Sequence, residues 1–556
     1  MELNPKICSK VAQETEVSGR PSDTDDNRTT LIALYFRRIS TFEQASSAFL
    51  SNEATLNFRL LVLLALMPGA AIPAQVVLPT ILTSHMVIQR DLPVHVWGMA
   101  TPGQGVTVTF RGERRTTQAG VLGRWSLYLK PGVAGGPFQL SVKGEPVAAS
   151  AAPEQPITLD DILVGDIWVA SGQSNMEFEM RKASTAAEDL PHAANSQIRL
   201  LMIKKRSSDA AQDNADTDGW TVSTPDTAKD FSAVGWYFAR EIAQREHVPV
   251  GVIDATWGGT IAESWVRLTA LGEDASLAPL FVARGKMTDQ DADARLAEKE
   301  EQRLREEARV QGKPIPDFHW HPPLASWGPG LLWNGMIAPL TQLPIRGAIW
   351  YQGESNSALA RVNLYDRIMR TLIEDWRRQW GVGDFPFLYT QISNFTSTPA
   401  EDWASLRQQQ VRTLGLRNTA MAVTIDIGNP VDVHPTDKVD VGMRLARAAR
   451  ALNYEEAVEY SGPMFRQATA EGASIRVWFD HAKGLMAKGG EVTGLEVAAA
   501  DGKFAPASAT IEGATLVVTS ASVPAPVFVR YGWANSPQCN LFNGEGLPAS
   551  PFTSAK

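Results

Sequence analysis

Two cysteines in 556 residues, Cys8 and Cys539, are too few for a disulfide framework and stand at no metal-ligand spacing. No run approaches the roughly 20 apolar residues that cross a bilayer. There is no basic excess either. The 52 Lys and Arg against 61 Asp and Glu leave a net charge of −9, which argues against a protein held on nucleic acid by phosphate contacts. His319 and His321 could be read as a metal pair, but no third ligand is suggested, and a loop contact is the better reading. What is present is an ordinary globular composition, 44% hydrophobic and 20% charged with 16 Trp, at a length that one core rarely supports.

Residues 1–55 carry little fold-like patterning. After them come Arg59, an apolar run over residues 60–67 and small residues up to Ala74, followed by Gln75. A basic residue, a short apolar core and small residues before a polar one describe a secretory signal peptide cleaved near Ala74. Its depth in the chain is most simply explained by a translation start further downstream. Residues 1–74 are therefore expected to be a leader, and the mature protein to be secreted or periplasmic.

The remainder divides by its periodicity. Residues 75–160 alternate apolar and polar positions between Gly and Pro turns, as in Val94-His-Val-Trp97 and Val106-Thr-Val-Thr-Phe110. This is a β-rich region in which Trp97 and Trp125 read as core rather than as sugar platforms. Over residues 161–455 strands and helices alternate, which points to a parallel sheet covered by helices on both faces. One helix, over residues 361–380, repeats Leu364, Ile368, Leu372, Trp376 and Trp380 at four-residue spacing. A charged helix within residues 284–313 reads as a solvated insertion. Residues 456–556 return to β patterning.

Four turns follow strands of that sheet, and catalytic groups of such folds sit at the carboxyl ends of strands. In Gly165-Asp-Ile-Trp-Val-Ala-Ser-Gly-Gln-Ser-Asn-Met176 an apolar strand runs into a polar turn and a helix start. Ser174 there is either a nucleophile whose own N–H faces an oxyanion or simply a helix cap. Met176 occupies the place of the second glycine in a Gly-x-Ser-x-Gly elbow, which disfavours an ordinary α/β-hydrolase. The glycines of Thr256-Trp-Gly-Gly-Thr260 allow close backbone approach to an acyl oxygen. Gln352-Gly-Glu-Ser-Asn356 brings polar side chains to the same edge. In Asp432-Val-His434 the histidine is the natural base for a serine, with Asp432 as its orienting acid and Asp426 in reserve.

Taken together, Gly172-Gln-Ser-Asn-Met176, Trp257-Gly-Gly-Thr260, Trp350-Tyr-Gln-Gly-Glu-Ser-Asn356 and Asp432-Val-His-Pro435 resemble the sialate O-acetylesterase family of SGNH-type carbohydrate esterases. Met86-Val-Ile-Gln-Arg-Asp-Leu-Pro93, Asn334-Gly-Met-Ile-Ala-Pro-Leu340 and Val529-Arg-Tyr-Gly-Trp533 extend the resemblance over nearly everything after Ala74. It implies an α/β fold, a three-layer SGNH-hydrolase-like parallel sheet flanked by helices, with accessory antiparallel β-sandwich segments at both ends. It further implies a serine esterase that releases acetate from an acetylated carbohydrate, with no cofactor and no metal. By position Ser174 matches the nucleophile and His434 the base. Asp432 stands two residues before the histidine, where many relatives place the acid three before. The oxyanion donors would be the N–H groups of Ser174 and of Gly258 or Gly259, with the Gln352 side chain. Glu354 and Asn356 are the candidates for binding substrate. A carbohydrate-binding protein without catalysis and an esterase of other small esters are the competing readings.

Overall fold

In the computed structural model, residues 76–146, 155–282, 291–316 and 326–555 are described. The expected leader and the His319–His321 pair lie outside them.

The central sheet is built from seven strands: β1 (Ile157–Gly172), β2 (Asn195–Met202), β3 (Trp220–Ser223), β4 (Val250–Thr256), β5 (Gly347–Tyr351), β6 (Phe387–Thr390) and β7 (Thr419–Ala422). Their spatial order is β7-β6-β5-β1-β4-β2-β3, parallel throughout except for β3, which pairs antiparallel with β2. Strands buried on both faces read as continuous apolar runs, and every residue of β4, β5 and β6 is buried.

Side-chain alternation sends successive residues into two cores. Ile167, Val169, Ala348 and Trp350 belong to one core, while Trp168, Ala170, Ile349 and Tyr351 belong to the other. The first is covered by α3 (Tyr365–Trp380), whose Ile368, Leu372, Trp376 and Trp380 are buried in the expected stripe. The second is covered by α2 (Ala233–Glu246) and α5 (Val439–Asn453), which also pack on each other. Between α3 and α5 in the chain lies α4 (Trp403–Thr413), which packs against α3. A four-residue helix, α1 (Ser174–Glu177), leaves β1 directly.

The boundary expected at residue 160 falls inside β1. This single strand of 16 residues continues the amino-terminal β region into the central sheet. Its first half pairs with Val87–Gln89 and Gly135–Gly144, its second half with β4 and β5. The charged helix spans Asp291–Val310 and carries i,i+3 and i,i+4 pairs such as Arg305–Glu301. Past α5 the chain forms antiparallel four-stranded sheets around Ile475, Val477, Leu516, Val529 and Tyr531.

No helix of the described residues is long and apolar enough to cross a membrane, and no cluster of three or more His, Cys, Asp or Glu among them could hold a metal ion.

Trp376 is fully buried against Trp350, Trp380 and Phe387, with ring centroids 5.5 to 6.1 Å away. Its indole also donates to Trp265 O at 2.9 Å. Trp376→Ala is expected to lower the unfolding free energy by about 3–5 kcal/mol, seen as a drop in denaturant midpoint at unchanged slope.

Candidate active site

The four turns leave β1, β4, β5 and β7 at the same edge of the sheet, because all four strands run in parallel. The first turn is forced tight against its neighbour. Gly172 has φ +134, and a Cβ there would lie 2.2 Å from Tyr351 O. Gln173 then donates its N–H to Tyr351 O at 3.0 Å, and its side-chain oxygen receives the N–H groups of Gly353 and Ser355. Ser174 follows as the first residue of α1. Behind it, Ser232 Oγ donates to Met176 O at 2.6 Å and the fully buried Ser171 Oγ to Ala255 O at 2.7 Å.

The second turn reaches Ser174 from the side. A Cβ on Gly258 would stand 3.3 Å from Ser174 Cβ and 3.1 Å from Glu177 Oε2, so only a glycine leaves this approach open. The Gly258 N–H donates to Glu177 Oε2, and Glu177 Oε1 pairs with Lys205. Among the described residues the N–H groups of Ser174 and Gly259 have no acceptor. The Gly259 carbonyl is fixed by Trp327 Nε1 at 2.6 Å.

The histidine loop is fastened to the Ser174 turn by one residue, Asn175. Its side-chain amide donates to Val433 O at 3.0 Å and to Glu354 Oε1 at 2.6 Å, and its Oδ1 accepts from Lys438 Nζ at 2.5 Å. Ser174 and His434 are thus each one residue from the same hydrogen bond. Lys438 is completely buried, with its ammonium 4.7 Å from the Phe178 ring centroid and 5.4 Å from that of Tyr351. Burial pushes Lys438 down to about 7, against the opposing charges of Glu354, Asp437 and Asp432. Burial likewise raises Glu354, whose Oε2 has no partner.

His434 keeps a side chain 38% exposed. Burial and then the charge of Lys438 hold it below its usual value, while Asp432 pulls the other way. Asp432 Oδ1 accepts the His434 backbone N–H at 2.9 Å but lies 3.7 Å from Nδ1, beyond hydrogen-bond range. The carboxylate therefore caps the loop and acts on the ring through its charge. The reserve acid, Asp426, is taken by Arg444 in a two-pronged pair at 2.7 and 2.8 Å and does not face His434.

In the third turn the side chains expected to serve the oxyanion and the substrate are engaged with the protein itself. Gln352 is fully buried and donates both amide hydrogens, to Thr260 O at 3.1 Å and Asn356 Oδ1 at 2.6 Å, while Tyr365 Oη donates to its Oε1 at 3.0 Å. It has no N–H left for an oxyanion. Asn356 is equally buried, accepting from Ala262 N–H and donating to Glu263. It ties turns together. Glu354, 7% exposed, faces Asn175. These residues are polar because three turns must satisfy one another's backbone away from water. The residues missed by sequence reasoning are Asn175, Glu177 and Lys438. Asn175 stood inside a recognised motif and Lys438 three residues past another, and the one available signal was a lysine four residues past the histidine, at the start of an apolar helix.

Beside the site, at the ends of β2 and β4, lies a cavity of about 440 Å³ lined by Glu177, Arg181, Lys204, Lys205, Asp230 and Asp254. Each basic group in it is paired: Lys205 with Glu177, Arg181 with Glu179 and Asp230, Lys204 with Asp218.

The family model for carbohydrate esterases described as sialic acid-specific acetylesterases matches residues 322–451. Sialate O-acetylesterase of Mus musculus is 28% identical over 519 residues, covering 84% of this chain and 92% of its own. The Homo sapiens sialate O-acetylesterase is 29% identical over 521 residues, covering 85% and 91%. The crystal structure of a carbohydrate acetylesterase from Xanthomonas citri superposes with a TM-score of 0.74 at 35% identity, over 86% of this chain and 100% of that one. A strand-end serine and a histidine loop held together at one sheet edge accord with those likenesses: the chain belongs to the sialate O-acetylesterase family of carbohydrate esterases and is a carboxylic ester hydrolase.

Proposed function

We propose that the protein is a serine O-acetylesterase that removes acetyl groups from sugar hydroxyls, on sialic acid or on a plant polysaccharide such as xylan or xyloglucan. Its catalytic unit is read as a three-layer SGNH-hydrolase-like sheet with accessory β segments. The observation that carries this reading is the Asn175 amide, which joins the Ser174 turn to the carbonyl preceding His434. Secretion is proposed with it, on the leader alone.

In this mechanism His434 takes the Ser174 proton as Oγ attacks the acetyl carbonyl. The oxyanion is received by the N–H groups of Ser174 and Gly259, both free of acceptors among the described residues. Collapse releases the sugar hydroxyl, which regains its proton from His434. Water, deprotonated by the same histidine, then cleaves the acetyl-serine and frees acetate. Burial, and after it the charge of Lys438, favours the unprotonated imidazole that can act as base. The paired acids and bases of the adjoining cavity offer donors and acceptors to sugar hydroxyls without a large net charge.

Ser174→Ala and His434→Ala are each expected to reduce turnover of 4-nitrophenyl acetate by roughly a million-fold, by analogy with serine hydrolases whose triad members act as a unit. Retention of wild-type turnover by Ser174→Ala ends this assignment. Acetate release from a panel of acetylated glycans identifies the sugar.

The pH profile separates the two charges that bear on His434. The acid limb of kcat/KM reports its protonation in the free enzyme. Its midpoint is expected below the ordinary histidine value of 6.5. Asp432→Asn keeps an oxygen for the His434 N–H but loses the charge, so the limb moves further down and activity is impaired. Lys438→Met removes the competing cation, so the limb moves up. Shifts in the same direction for both variants contradict the electrostatic account.

A further inference from the structure

Helix α4 carries a stripe that the catalytic reading does not use. Ser405, Gln408, Gln409 and Arg412 recur at i, i+3, i+4 and i+7 and line one wall of a cleft of about 280 Å³. The opposite wall comes from the carboxyl-terminal β region and includes Phe504, Arg530 and Trp533. Arg530 and Trp533 belong to the Val529-Arg-Tyr-Gly-Trp533 segment, for which the active site offers no role. The remaining face of α4 is accounted for by packing and by Arg407, whose guanidinium is buried on the carbonyls of Ile392 and Ser393.

The polar stripe is not an ordinary solvated face. Gln409 is only 5% exposed, yet its side-chain amide has no hydrogen-bond partner among the described residues. Gln408 Oε1 beside it is closed to solvent and has no donor among the described residues, so the accessible amide of the stripe is that of Gln409. The Gln409 amide, nearly buried, opens on the cleft without a protein partner, an arrangement natural structures rarely keep unless something else completes it. Around it the walls combine ring faces with planar donors. The Arg530 guanidinium lies 4.0 Å from the Phe504 ring centroid and pairs with Glu496 at 2.7 Å, and Trp533 is half-buried. Asn363 and Arg412 stand exposed at the rim, and Arg412 has no acidic partner among the described residues.

Amides both donate and accept, as hydroxyl groups do, and aromatic faces suit the C–H faces of a pyranose. One unpaired arginine is too little for a multiply charged anion. We propose that this cleft is a second glycan-binding site, which holds one hydroxylated pyranose residue of the substrate chain at a place separate from the ester being cleaved. Gln409 and Asn363 bond its hydroxyls, and Trp533 with Phe504 covers its apolar face. The inference rests on the carbohydrate reading of the catalytic site. It adds that the enzyme grips its polymer at two points, which raises the effective concentration of acetyl groups at Ser174 without altering the chemistry.

The test titrates the full-length protein by calorimetry with xylohexaose and, separately, with N-acetylneuraminic acid, for wild type, Gln409→Ala and Trp533→Ala. Arg412→Ala, at the exposed rim, serves as the variant least able to disturb folding. Hydrolysis of 4-nitrophenyl acetate is measured in parallel. The expected result is binding of at least one probe, weakened about fivefold by Gln409→Ala, the loss of one neutral hydrogen bond, and weakened as well by Trp533→Ala and Arg412→Ala. Turnover of 4-nitrophenyl acetate should stay at the wild-type level in all three. Preference for xylohexaose marks a neutral chain as the occupant, and preference for N-acetylneuraminic acid marks an acidic sugar paired with Arg412. Equal affinity of wild type and all variants, or no binding of either probe, overturns the second site even where 4-nitrophenyl acetate is hydrolysed normally. Absence of ester hydrolysis in the wild type instead removes the catalytic reading, and the binding data then stand on their own.

Discussion

The side-chain amide of Asn175 is the point on which the site depends. A primary amide has two hydrogens and one oxygen to offer in fixed directions. Here one hydrogen holds the carbonyl before His434, the other holds Glu354, and the oxygen receives Lys438. Three turns that are far apart in the chain therefore meet one residue from Ser174. Among the described residues Lys438 has no carboxylate in direct contact, and Asn175 with the rings of Phe178 and Tyr351 offsets only part of the cost of burying its ammonium, which burial pushes down to about 7. Taking Asn175 away would strand a buried cation and a buried carboxyl together, and buried networks that are half satisfied are worse than none.

That arrangement is possible because of how β1 ends. The strand is long enough to anchor in the amino-terminal β region and still run through the middle of the parallel sheet. At its end Gly172 adopts a backbone that other residues resist and passes within contact of Tyr351. The turn after β5 is drawn alongside, and its polar side chains become mutual supports. Gln352 and Asn356 illustrate the consequence: chemistry-bearing residue types near Ser174, fully buried and occupied with one another. Glu177 shows a related restraint, since its carboxylate holds the Gly258 N–H and leaves Gly259 and Ser174 as the free donors.

Much of this was legible in the residues. The parallel strands are apolar runs because both their faces are buried, and α3 announces itself through Ile368, Leu372, Trp376 and Trp380. The edge to which the four turns converge followed from strand polarity alone. Other parts were hidden for physical reasons. Helix α4 buries Arg407 and Gln410 on its inner face, so its hydrophobic period is broken where polar groups satisfy carbonyls of the neighbouring turns. The β3 strand is short and antiparallel at the sheet edge, and no alternation marks it. Asp432 is the acid nearest the histidine in sequence, yet from two residues before it the carboxylate takes the backbone N–H at 2.9 Å and stays 3.7 Å from the ring. Which of several polar turn residues is exposed and which is structural depends on partners across the turns, and sequence separation carries no record of those.

In the proposed mechanism an ester's acetyl group passes through Ser174. It is tested most directly by acid-quenching the enzyme during turnover of an acetyl ester and mapping the modified peptide by mass spectrometry. The account requires an acetyl group on Ser174, accumulating early and absent from Ser174→Ala. Steady turnover with Ser174 unmodified, or with the acetyl group on another residue, would contradict it.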